Sequence, residues 1–521
     1  MNHRFPLVAL AVALAAGACN SSSNHGRVNP ALLDPFTVVF PADFLWGSAN
    51  SAYQSEGNFK PGGGRVESNW SHWEDLDRIN DGSRNDVGAG FYTQYPADLD
   101  RAASDGHNAI RFGLEWARIE PERGVFDQAE MDHYLALIDA CVARGLTPVV
   151  TFYHWVVPPW VADPATGLDR FATAQNTELW DDFDAYVRFV VPQIADKVDW
   201  YITFNEPYSV AAAGYLLGQH PPGKILDLAG ATAFLFNTAF MHARAARSIR
   251  ELDTVDATRD GHATRISLAK SANTFLPLDP NNDQDVQGAE QLSYIFNDAY
   301  MNAVVYGMVD ADLDRAYDNA TTTPPEGFYP ELTDALDFIG INYYGPIVAL
   351  GHIGPIAIPA PLLGFPILDV NQYDPALPHN GLNREISAQG FRDTLDLYSQ
   401  WGLPFMITEN GTDTQEFDQR AKYLTEHIYE VGKAMKDGLT VLGYLQWSLT
   451  DNFEWVEGYE PRFGLYRLDY TAQGFPRTRT NGAEMMSEVI AQGYLDRALY
   501  DRWAGECYPT DARCLEGAEA P

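Results

Sequence analysis

Cysteine is scarce: 521 residues carry four, Cys19, Cys141, Cys507 and Cys514, with no CxxC pair and no His/Cys cluster to suggest a metal. Basic residues are scarce as well. Against 71 Asp and Glu stand 35 Lys and Arg, a net charge of −36, and such a surface repels the phosphate backbone that a nucleic-acid partner presents. Uninterrupted apolar runs are missing from the body of the chain, where the apolar stretch GHIGPIAIPAPLLGFPILDV is broken by Pro355, Pro359, Pro361 and Pro366, which excludes a membrane helix. What is present is 46% apolar and 13% aromatic residues with only 20% charged, enough to bury a large core and too apolar for a disordered chain. The excess acid serves solubility, and a neutral ligand would not feel its field.

Residues 1–19 carry Arg4, an apolar run from Phe5 to Ala16, then Gly17 and Ala18 before Cys19. The run is too short to span a bilayer and resembles a bacterial export signal. A cysteine directly after small residues, followed by a Ser/Asn-rich linker over 20–35, resembles a lipoprotein processing site, so a lipid anchor at Cys19 is one expectation. Ala16 stands where that pattern usually has Leu, and ordinary secretion is the other. The expected mature body is 36–495, with a polar tail over 496–521. Within the tail, Cys507 and Cys514 lie close enough for a short disulfide loop in an oxidising compartment. Cys141 falls on an apolar helix face with Leu135, Ile138 and Val142 and is expected to be buried.

Length alone would suggest three or four domains, but α/β barrels run well beyond the usual domain size. Eight short runs rich in Val, Ile and Phe alternate with segments of helical period. They are Phe44 to Ala49, Ala109 to Leu114, Thr147 to Tyr153, Trp200 to Phe204, Ile266 to Lys270, Phe338 to Tyr343, Phe405 to Thr408 and Val441 to Trp447. Helices are expected between them, for example over Asp127 to Arg144, Asp181 to Ile194 and Thr232 to Leu252. Eight parallel strands with helical crossovers close a single (β/α)₈ TIM barrel, an α/β fold, with elaborated loops at its C-terminal face. The irregular stretch Gly345 to Arg392 follows a barrel strand, so it either caps the entrance at that face or packs on neighbouring loops.

In such a barrel the chemistry gathers just past the strand ends. The fourth run ends in TFNEP (Thr203 to Pro207) and the seventh in ITENG (Ile407 to Gly411), each delivering one glutamate to the same face. Two carboxylates across a barrel mouth suit glycosidic cleavage, one to attack or activate water and one to protonate the leaving oxygen. Glu115, Glu120, Glu122 and Glu130 are expected on solvated faces or in salt bridges.

At these residues the chain resembles glycoside hydrolase family 1, the β-glucosidase and β-galactosidase family, from about Phe44 to about Ile490. The likeness rests on FLWGSANSAYQSEG near the start, TFNEP and ITENG, together with TFYHW (Thr151 to Trp155), DFIGINYY (Asp337 to Tyr344), WSLTDNFEW (Trp447 to Trp455) and RFGLY (Arg462 to Tyr466). The resemblance implies a retaining β-glycosidase in which Glu409 is the nucleophile and Glu206 the acid/base, with carboxyl groups about 5 to 5.5 Å apart. Arg111 and Tyr344 are expected to set a cation and a hydroxyl beside Glu409, favouring its ionised form. Two neighbouring carboxylates resist ionising together, so Glu206 starts as the acid and turns base once Glu409 is esterified.

By the same resemblance Gln54, His154, Asn205, Glu454 and Trp455 hydrogen-bond the sugar, Trp447 forms its stacking floor, Trp155 belongs to the substrate-binding set, and Phe463 is a pocket wall. Asn205 would hold the 2-hydroxyl. Asn342 either shapes the site or satisfies backbone groups. Tyr208 stands where many relatives have Trp and is expected on the leaving-group side. Relatives acting on 6-phosphorylated sugars place small or basic groups where this chain has Glu454, so plain glycosides are expected. A cis peptide is implied between Trp447 and Ser448.

No cofactor or metal is implied, since the side chains named supply both charge stabilisation and proton transfer. The expected partners are β-glycosides such as cellobiose or aryl and alkyl glycosides, with glucose favoured by family frequency over galactose, fucose or mannose. A transglycosidase and a non-catalytic sugar-binding barrel are the alternatives.

Overall fold

The structure is a computed structural model that describes residues 34–349, 351–353, 356–357 and 378–505. Cys19, the leader, most of the linker and the Cys507/Cys514 pair lie outside the described residues. Eight parallel strands close into one barrel: β1 Leu45–Ala49, β2 Ala109–Gly113, β3 Thr147–Tyr153, β4 Trp200–Asn205, β5 Arg265–Ser271, β6 Ile339–Tyr343, β7 Phe405–Asn410 and β8 Val441–Trp447. These are the eight runs legible in the sequence. Pairing of β8 with β1 and of β5 with β6 leaves no open edge.

Alternation along each strand sorts side chains into two cores. Ala49, Ala109, Val149, Ile202, Ala269, Met406 and Leu445 fill the barrel interior, with Trp200 and Phe338 edge to face at 5.4 Å. Residues pointing outward join the larger core between strands and helices, where Cys141 is buried. The three expected helices are Gln128–Ala143, Thr177–Ile194 and Leu228–Leu252. The last two start four residues before the apolar pattern does. Asn176 accepts from the Leu179 N–H and Asp227 from the Gly230 N–H, so capping carries each helix one turn beyond its apolar stripe.

Of the glutamates expected on solvated faces or in salt bridges, Glu122 is exposed and Glu130 is paired with Arg118, whereas Glu115 and Glu120, with Glu130, are buried, which corrects the solvated-face reading for them. Glu120 accepts from the Trp116 indole and the Gly124 N–H, while Glu130 and Glu56 share the buried Arg118 at 3.5 and 3.3 Å. Burial pushes Glu115 up to about 8 and Glu56 up to about 7, even though Arg118 pulls both down. The stretch given to the polar tail begins with a helix, Arg497–Ala504, capped by Asp496 and anchored by the buried Leu499.

Long connections crowd the C-terminal ends of the strands. Beyond β4, a short helix Pro207–Val210 continues into a π-helical turn Ala211–Leu216. Beyond β6, Ile347–Ala349 pairs in parallel with Phe275–Pro277 from the loop after β5. Of the stretch from 345 to 392 expected at the entrance, residues 350, 354–355 and 358–377 lie outside the described residues.

Candidate active site

Glu206 leaves the end of β4 in a left-handed backbone conformation, φ 47° and ψ 59°, a sparsely populated region for a residue with a Cβ. Its N–H donates to the Ala269 carbonyl of β5 at 2.8 Å. From there the carboxyl leans across β5. One oxygen accepts from the Asn342 amide of β6 at 2.8 Å and the other from the Ser209 hydroxyl at 2.6 Å.

Glu409 stands on β7 with different neighbours. Arg111 of β2 donates Nη1 to its Oε1 at 2.6 Å, and the Tyr344 hydroxyl donates to Oε2 at 2.7 Å. Arg111 is wholly enclosed. It also donates to the Thr408 carbonyl at 3.1 Å, to the Thr151 hydroxyl at 3.0 Å and to the Asn205 side chain at 2.6 Å. Asn342 donates to Asn205 at 3.1 Å and accepts from Thr408 at 2.6 Å. A continuous polar belt thus joins β2, β3, β4, β6 and β7. Asn342 belongs to it, bonding Glu206 itself rather than merely satisfying backbone.

The expected ionisation of Glu409 needs correction. Arg111 and Tyr344 do pull its proton affinity down, but burial in the barrel mouth outweighs them, and the charge of Glu206 adds to the rise, so the carboxyl is pushed up to about 7. Removal from water is the cost that the sequence does not display.

The sugar-facing residues gather on one side of this pair. Asn205 donates to His154 Nε2 at 3.0 Å, and burial together with the Arg111 cation holds that imidazole well below its usual range, hence neutral. Gln54 donates to Glu454 at 3.3 Å and to Asn452 at 3.0 Å, and the Trp447 indole donates to the other oxygen of Glu454 at 3.2 Å. The Trp447–Ser448 peptide is cis. Gly411 lets this end close up, because a Cβ there would lie 2.1 Å from the Trp447 carbonyl. Trp155 and Trp455 both take positive φ, 71° and 55°, with rings 4.6 Å apart. The Trp155 indole donates to the Asn205 carbonyl at 3.1 Å. Phe463 packs edge to face on Tyr344 at 5.9 Å.

Tyr208 departs from this group. Its ring meets Phe296 at 4.2 Å with the planes tilted by 40°, and it lines an apolar cavity with Leu235, Phe236, Ile295 and Tyr300. Burial pushes Glu454 up to about 8, and the nearby Asp413, Glu409 and Asp451 add to the rise.

Several contributors were not singled out in the sequence. Thr151, Thr408 and Asn452 lie inside motifs already quoted, and their hydroxyls and amide tie those motifs together. Ser209 and Lys270 lie outside them, and a lone Ser or Lys gives no signal without its neighbours.

A closed parallel barrel whose fourth and seventh strands bring carboxyls to one polar, aromatic-walled pocket is the architecture of a barrel glycosidase. The sequence profile of glycosyl hydrolase family 1 matches residues 36–494, and the chain belongs to that family. It is 31% identical over 451 residues to β-glucosidase A of Thermotoga maritima, covering 83% of this chain and 94% of that relative. With a β-galactosidase of Pyrococcus woesei it shares 28% identity over 520 residues, 88% of this chain and 99% of that one. A rice β-glucosidase variant, solved in covalent complex with glucose, superposes with a TM-score of 0.74 at 27% identity, covering 86% of this chain and 99% of that one. A sugar bound covalently to a family member marks a double-displacement route. The chain is a retaining β-glycosidase.

Proposed function

We propose that this chain hydrolyses terminal β-D-glucosyl residues, with Glu409 as nucleophile and Glu206 as acid/base. In the first half-reaction a Glu409 oxygen bonds to the anomeric carbon as the bond to the leaving oxygen breaks, and the Glu206 proton passes to that oxygen. In the second, Glu206 takes a proton from water, whose oxygen displaces Glu409 from the sugar. Arg111 and Tyr344 orient the nucleophile and take up its charge as the ester is cleaved. The observation that carries the reading is the contrast in hydrogen-bond partners: Glu409 is clamped by a cation and a phenol, whereas among the described residues the Glu206 carboxyl accepts from a neutral amide and a hydroxyl.

Gln54, Glu454 and Trp447 form the far end of the sugar pocket, suited to hydroxyls at O4 and O6. The acidic group around Glu454 supports plain rather than 6-phosphorylated glycosides. A panel of aryl β-glucoside, galactoside, fucoside and mannoside compared by kcat/KM tests the sugar, with the glucoside expected highest. Product analysis with and without an added alcohol separates hydrolysis, which yields free glucose, from transfer. Turnover of a 6-phosphoglucoside but not of the plain glucoside would overturn the reading.

Export to the periplasm or outer surface, with a lipid at Cys19, is proposed from the leader sequence alone. Metabolic labelling with a fatty acid, lost in Cys19→Ser, tests it; an unmodified Cys19 on a soluble mature chain would leave simple secretion.

A further inference from the structure

Lys270 is an unusual residue to find at the rim of a barrel: it is wholly enclosed, with no exposed surface at all. It sits near the end of β5, where Ala269 faces the barrel interior and accepts the Glu206 N–H, so Lys270 points outward behind the acid/base. Its ammonium donates to the Ser271 carbonyl at 2.6 Å and lies 5.4 Å from the Tyr208 ring. Ser271 is also the β5 residue in register with Asn342, the amide that holds the Glu206 carboxyl. The ammonium and the carboxyl therefore converge on the same end of β5, from opposite faces.

Two carboxylates act on this cation, Glu206 more strongly than Asp298 of a second π-helical turn, Tyr294–Ala299. Asp298 has other partners, the charge of Arg315 and a hydrogen bond from Gln400 at 3.4 Å. Tyr208 offers its ring face. A buried cation is costly without a counter-charge, and Glu206 supplies the larger share of it.

We propose that Lys270 is a positioning residue for the second half-reaction, its ammonium favouring Glu206 as the carboxylate that activates water. The inference rests on Glu206 being the acid/base. Burial pushes the ammonium down to about 7, against the upward pull of Glu206 and, less strongly, Asp298. Its charge acts through Glu206 and touches no substrate.

The test uses Lys270→Met and Lys270→Arg in the full chain. With an aryl glucoside that needs protonation, Lys270→Met is expected to move the alkaline limb of kcat/KM up by roughly half to one pH unit. With 2,4-dinitrophenyl β-glucoside, whose leaving group needs no acid, kcat is expected to fall severalfold while kcat/KM holds. Lys270→Arg is expected to restore both. Should the Met variant not fold, Lys270→Gln, which keeps a donor for the Ser271 carbonyl, is read in the same way. Folded variants with an unmoved limb and an unchanged kcat would overturn the proposal, as would an Arg variant as impaired as the Met one. Persistence of the alkaline limb in Glu206→Gln would instead overturn the acid/base reading itself.

Discussion

The ends of β4 and β7 hold the same side chain in opposite company. At β7 a guanidinium and a phenol grip both oxygens of Glu409 with short, charge-assisted bonds. At β4 a neutral amide and a hydroxyl hold Glu206, and the charge of Lys270 acts on it without a hydrogen bond between them. A group that must keep one position while a covalent bond forms and breaks gains from strong fixed donors. A group that must carry a proton, give it up and take another is better served by partners that do not insist on its charge.

The sharpest way to break this contrast is to remove each carboxyl in turn. Glu409→Gln is expected to lower turnover on the order of 10⁵-fold whatever the leaving group, measured with aryl and dinitrophenyl β-glucosides. More than a few per cent residual activity in a purified sample would remove Glu409 from its role. Glu206→Gln should cost about 10² to 10⁴-fold on cellobiose and far less on the dinitrophenyl glucoside; equal losses on both would erase the distinction between the two corners. Arg111→Lys is expected to lower kcat by roughly 10 to 100-fold, because an ammonium cannot reach Glu409, Asn205 and Thr151 together. A Lys variant with normal kcat would mean that charge alone suffices at β7.

The smallest effect concerns pH. Glu409 attacks as the carboxylate, and its carboxyl is pushed up to about 7. Acid therefore protonates the nucleophile, and kcat/KM should fall by roughly fivefold from pH 7 to pH 6 and about tenfold per unit below that. Tyr344→Phe removes a group that pulls this proton affinity down, so its acid limb should lie higher still. An acid limb near the ordinary glutamate range would show that Arg111 and Tyr344 outweigh burial.

Strands and site motifs were legible because both are local. A run such as Phe405 to Thr408 announces a buried strand by composition, and TFNEP or ITENG carries its chemistry within five residues. Arg111 and Asn342 were legible only through the company of those motifs. What stayed hidden depends on distant parts of the chain. Glu130 carries no sign in the sequence of which cation it meets, and only the fold brings it with Glu56 and Arg118 into one enclosed cluster. Helix starts at Thr177 and Leu228 depend on caps, which the apolar period does not show. The rise at Glu409 follows from lost water, a quantity with no letter in the sequence.

Arg111, Thr151, Asn205, Asn342 and Thr408 bond side chain to side chain just beneath the reacting pair. They act as a hoop around five staves, set below the loops that meet the leaving group. Insertions or substitutions higher up can reshape the vestibule without loosening that hoop, so recognition of the departing half of a substrate is free to drift while the reactive spacing stays put.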